Sequence, residues 1–130
     1  MVTGYWFILI AALMPYSILA IARGKAFDNS RPREGYDHAE GVQKRAYGAH
    51  LNSFEVFPFF AAAMLVALQA GMGGMWLNVL GVVWLLLRVA YIYAYLKDMP
   101  SLRSRIWMVG MVVAIAIITM PLWAPYPTGI

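Results

Sequence analysis

The sequence predicts an all-α membrane protein, a four-transmembrane-helix bundle running up, down, up and down, and three observations carry that expectation. Hydrophobic residues make up 62% of the chain and charged residues 12%, more apolar surface than a water-soluble chain of 130 residues can hide. Four apolar stretches recur along it, each near the ~20 residues that a helix needs to cross ~30 Å of hydrocarbon. Lysines and arginines outside those stretches gather in the first and third connections, which lie on one side of a four-helix bundle.

The first span is expected at about residues 5–22; it starts close to Met1 with no basic leader and no small-residue cleavage site, which reads as a retained span. Pro15 inside it removes one backbone donor and is expected to kink the helix, with a neighbour satisfying the freed carbonyl. A polar connection follows, with Arg23, Lys25, Arg31, Arg33, Lys44 and Arg45 set among Asp28, Glu34, Asp37 and Glu40. The second span is expected at about 50–70. Its purely apolar part is too short to cross alone, so the helix must also carry Asn52 and Glu55.

Gly71, Gly73 and Gly74 make a tight uncharged turn into a third span at about 75–96, which holds Arg88 and ends at Lys97, Asp98 and Pro100. A fourth span is expected at about 105–123. Residues 1–130 thus read as one four-helix domain. The positive-inside rule makes the polar connections cytoplasmic and puts both termini outside; Tyr5, Trp6, Trp76, Trp107, Trp123 and Tyr126 fall near span ends, where amphipathic rings gather.

Composition also narrows the chemistry. With no cysteine, the chain has no disulfide, thiolate metal site or thiol nucleophile of its own, so any sulfur chemistry must use a bound thiol. The two histidines, His38 and His50, lack metal-ligand spacing, and His50 reads as an interfacial polar residue. The formal charge of +4 is clustered on one side, which argues against a nucleic-acid surface. The glycine turn lacks the spacing and lysine of a phosphate loop.

Two polar stripes remain. Arg45, Asn52 and Glu55 share one face of the second helix, and Arg88, Tyr91 and Tyr95 share one face of the third. At ~1.5 Å per residue, Glu55 and Arg88 both fall in the cytoplasmic leaflet, where an ionised side chain must face a partner, the bundle interior or a wet cavity. One reading is a structural Glu55–Arg88 ion pair with Asn52 adding an interhelical hydrogen bond. The other is a cytoplasm-facing pocket in which Asn52 and Glu55 hold an ammonium and arginines hold carboxylates.

The segment Arg45-Ala-Tyr-Gly-Ala-His-Leu-Asn-Ser-Phe-Glu55-Val-Phe-Pro-Phe-Phe60 closely resembles the signature of the MAPEG family, membrane-associated proteins in eicosanoid and glutathione metabolism. Arginine, asparagine, glutamate and proline follow one another there at seven, three and three residues, and the series Arg88, Tyr91, Tyr95 and Arg103-Ser104 also looks like the family. The resemblance implies a homotrimer with glutathione bound between subunits near the cytoplasmic face. It implies a glutathione-dependent transferase or peroxidase acting on lipophilic electrophiles that arrive from membrane lipid. By position, Asn52 and Glu55 would hold the cysteinyl or amino portion of glutathione, Arg88, Tyr91 and Tyr95 its glutamyl end, and Arg103 the thiolate, with Arg45 nearby.

Three positions depart from the family pattern: Gly48 where the glutathione enzymes carry a second arginine, Val56 where tyrosine is common, and Arg103, one residue off the expected spacing from Tyr95. They make the chain look like the family's bacterial branches, in a bacterial inner membrane. Gly48 also favours an alternative, a non-catalytic protein of the same fold that binds lipid or another small ligand.

Overall fold

The computed structural model describes residues 4–23 and 29–127, and these are almost entirely helical. Lys25 and Asp28 of the first connection lie outside the described residues. The long helices are α1 (Gly4–Arg23), α3 (Gly41–Gln69), α4 (Met75–Leu96) and α5 (Pro100–Ile118); the short ones are α2 (Glu34–Asp37) and α6 (Met120–Trp123). All four long helices are long and apolar enough to cross a membrane, and the fold is a four-helix bundle.

Two boundaries differ from the sequence reading. Helix α3 begins at Gly41 rather than near His50, and its 29 residues span ~43 Å, so about two and a half turns stand clear of ~30 Å of hydrocarbon. Hydropathy marks only the part of a helix that lipid surrounds. At the other end, α5 starts at Pro100, whose fixed φ and missing donor suit a first helical turn, and stops at Ile118 because Pro121 cannot continue the ladder. Thr119 Oγ1 donates to the Ile115 carbonyl at 2.7 Å and Trp123 Nε1 to the Ala116 carbonyl at 3.1 Å, capping that end.

Both tight connections use a left-handed residue. After α3, Gly71 has φ +79°, with Met72 N donating to Ala67 O at 2.9 Å and Gly71 N to Leu68 O at 3.0 Å, the paired bonds of a Schellman stop. After α4, Asp98 takes the same role at φ 56°, with Met99 N donating to Ala94 O at 2.9 Å. These stops reverse the chain within a few residues, so consecutive helices pack antiparallel.

Helix α3 is the hub, packed on α1, α4 and α5. Ala46, Ala49, Ala63 and Ala67 on it are fully buried; their small side chains let helix backbones approach, which is what drives association in lipid. Phe60, also sealed, stacks on Trp84 of α4 with ring centroids 3.8 Å apart. Outward positions such as Leu13, Leu65, Leu86, Val89 and Val112 stay exposed on the bundle surface, as expected where lipid is the solvent.

His50 faces into the bundle. It is buried, and its Nδ1 donates to the Pro15 carbonyl at 2.7 Å, because a carbonyl can only accept. This bond ties α3 to α1, and it reaches Pro15's own carbonyl rather than the one left free by the missing proline donor. Phe54 and Tyr47 flank the imidazole, and Tyr47 in turn stacks on Tyr36 of α2 at 4.4 Å, docking the polar connection on α3. His50→Phe keeps the ring volume and loses the bond. It is expected to cost ~1 kcal/mol, read as a lower unfolding temperature in detergent.

Candidate functional site

The antiparallel register of α3 and α4 decides which polar side chains meet. Arg45 Nε donates to Leu96 O at 3.1 Å, and Arg88 lies level with Asn52 and Ser53. Arg88 is buried, and its Nη2 donates to Asn52 Oδ1 at 3.0 Å and to Ser53 Oγ at 3.3 Å. Ser53 is set for this by its own bond to the Ala49 carbonyl at 2.8 Å, which turns the hydroxyl oxygen toward the guanidinium. The face of Tyr91 covers the other side, with Arg88 Cζ 4.2 Å from the ring centroid.

Glu55 and Arg88 do not form a direct ion pair. Asn52 stands between them, accepting from Arg88 and donating through Nδ2 to Glu55 Oε2 at 3.3 Å. The reason is register: Glu55 lies about one turn deeper than the level of Arg88, while Asn52 lies on it. Glu55 is therefore exposed on the flank of α3, the one carboxylate within the apolar part of that helix. An ion pair does form between Arg31 and Glu34, at 3.5 Å on the exposed connection, where it adds little stability.

Beside this network lies a cleft of ≈ 270 Å³ lined by Asn52, Tyr91, Arg103, Ser104, Trp107 and Met108. Its walls divide by chemistry along α5: the first turn supplies Arg103 and Ser104, and the next turn supplies Trp107 and Met108. Tyr95 stands behind Arg103, whose Cζ is 4.5 Å from the Tyr95 ring centroid, and Tyr91 meets Tyr95 edge-on at 5.8 Å. A second void of ≈ 20 Å³, room for about one water, sits behind Arg88 among Val56, Phe59, Trp84 and Gly110.

Of the residues that the sequence singled out, Asn52, Tyr91 and Arg103 line the cleft; Arg88, Tyr95 and Glu55 stand one contact back from it, through Asn52 and Tyr91, Arg103, and Asn52 respectively. Arg45 does not line it; its guanidinium is tied to the end of α4. Sequence reasoning passed over Ser53, one residue beyond Asn52, although a hydroxyl back-bonded to its own helix is a common way to present an acceptor. It read Trp107 as an interfacial ring only and did not single out Met108. Helical spacing was the available signal, since Trp107 follows Arg103 by four residues and Met108 follows Ser104 by four.

Four crossing helices with a polar cleft let into one end define a multi-pass integral membrane protein. The MAPEG family model matches residues 2–123, nearly the whole chain, and the chain belongs to that family. No curated protein and no solved structure matches the chain.

Proposed function

We propose that the cleft binds glutathione and that the protein is a glutathione-dependent transferase or peroxidase acting on lipophilic electrophiles. The observation that carries this reading is the pairing, in one cleft, of a polar wall of Asn52, Tyr91, Arg103 and Ser104 with an apolar wall of Trp107 and Met108. Family membership supports it, because MAPEG members include glutathione-dependent enzymes. The donor set fits the tripeptide: Arg88, Tyr91 and Tyr95 would receive its glutamyl end, and Asn52 and Glu55 its cysteinyl or amino portion.

Bound glutathione supplies the thiol that this cysteine-free chain lacks. Arg103 holds positive charge at the cleft wall, which favours thiolate over thiol and so the competent nucleophile. Arg88 orients the Asn52 amide, which donates to Glu55 Oε2 and leaves Oε1 to accept from an ammonium or amide. Trp107 and Met108, both exposed on the flank of α5, give an apolar co-substrate a route from the acyl chains.

An exposed carboxylate at membrane depth needs covering, and a homotrimer with the cleft at the subunit boundary would cover Glu55. In this reading the polar connections are cytoplasmic and both termini are outside. Millimolar glutathione is expected to raise the unfolding temperature of the detergent-solubilised protein. Glu55→Ala is expected to remove that rise. A flat response in the parent protein rejects the reading. A second reading, a non-catalytic binder of lipid or another small ligand, draws on the packing of Tyr95 over Gly48, where the glutathione enzymes carry arginine. Copurified lipid, with no thiol consumed in the presence of reactive electrophiles, would favour it.

A further inference from the structure

Arg103 owes its place to an aromatic ring rather than to a hydrogen bond. Among the described residues it makes no hydrogen bond or ion pair with another side chain, and its directional partner is the face of Tyr95 at 4.5 Å. The Tyr95 ring in turn has a defined seat. Its edge lies so close to α3 at Gly48 that a Cβ built there would meet the Tyr95 hydroxyl oxygen, with Cζ at 2.7 Å and Cε1 at 3.2 Å. Gly48 is one turn before Asn52 on the same face of α3, so the bare backbone and the cleft are neighbours.

We propose that Gly48 is a positioning residue: by leaving α3 bare it seats the Tyr95 ring, and the seated ring presents Arg103 to the cleft. Any side chain at position 48 pushes the ring outward and takes the guanidinium with it. The ring is the far end of a side chain, so the bundle tolerates the shift while the cleft loses its cation. Helix propensity works in the opposite direction, since alanine in a helix is more favourable than glycine, so a loss of Arg103 placement in Gly48→Ala cannot come from a weakened helix. What Arg103 is positioned to do rests on the glutathione reading; where it is positioned does not.

The test is a double-mutant cycle read on Arg103 itself, without ligand. The detergent-solubilised full chain is treated with phenylglyoxal, and modification of Arg103 is followed by peptide mass spectrometry in the parent, Gly48→Ala, Tyr95→Ala and the double variant. Loss of the ring contact is expected to speed modification about threefold or more in both single variants. The double variant should match Tyr95→Ala, because Gly48 acts only through the ring. Tyr95→Phe keeps the ring and should stay at the parent rate.

An unchanged rate in Gly48→Ala, or a further rise in the double variant, overturns the proposal. So does a Gly48→Ala protein that fails to fold, because a positioning role leaves the bundle intact. Where glutathione raises the unfolding temperature, thiolate absorbance of the bound tripeptide should titrate at higher pH in Gly48→Ala than in the parent. Absence of any glutathione effect in the parent rejects the functional reading alone, and the phenylglyoxal series still decides the placement of Arg103.

Discussion

Replacing Arg88 with methionine is expected to weaken glutathione binding ~30-fold or more while leaving the bundle about as stable as before. Two opposing terms set the stability. The substitution forfeits interhelical bonds to Asn52 and Ser53, each worth ~0.6–1.7 kcal/mol in a membrane protein. It also removes a cation from membrane depth, where a charge costs ~2.5–3.5 kcal/mol or more. These nearly cancel, so the unfolding temperature should move little.

Binding has no such compensation. Without the guanidinium, Asn52 loses the partner that orients its amide, and a carboxylate of the ligand loses its counter-charge. Truncating one side of a buried charged pair costs ~2–5 kcal/mol, which is ~30-fold or more in affinity. Calorimetric titration of Arg88→Met with glutathione checks this directly. Binding within a fewfold of the parent would mean that Arg88 only fixes helix register, as in the structural reading of the polar stripes.

The largest loss of stability is expected from Phe60→Ala. Phe60 is sealed within the bundle and lies flat on Trp84 at 3.8 Å, in the main core with Met64, Leu77 and Ile117. In lipid an apolar side chain gains nothing from leaving water once the helices are inserted, so what Phe60 contributes is contact with a fitted partner rather than transfer from solvent. Deleting the ring leaves a cavity against Trp84 and is expected to cost ~3–5 kcal/mol. Leu86, 64% exposed on the outer face of α4, exchanges protein neighbours for acyl chains at no such cost, and Leu86→Ala should change stability by ~0.5 kcal/mol or less. Thermal unfolding of the two variants in the same detergent separates them; equal effects would mean that Phe60 is not in a packed core.

Hydropathy alone determined the number of crossings and the fold class. Lipid imposes a length of apolar helix that can be counted along the chain. Helical spacing likewise determined the two polar stripes, because residues three, four or seven apart share a face whatever packs against it. Composition determined that the chain has no thiol of its own.

Only the tertiary structure decided how the stripes meet. Whether Arg88 reaches Glu55 or Asn52 depends on the longitudinal register of α3 against α4, which the buried alanines of α3, the Phe60–Trp84 stack and the tight turn at Gly71 set together. No local pattern encodes that offset, and a shift of one turn would exchange the partners. The same holds for Gly48 and Tyr95, which are 47 positions apart in the chain and touch because the helices do. Periodicity reports which face a side chain takes; contact with a neighbouring helix depends on the sum of packing along its whole length.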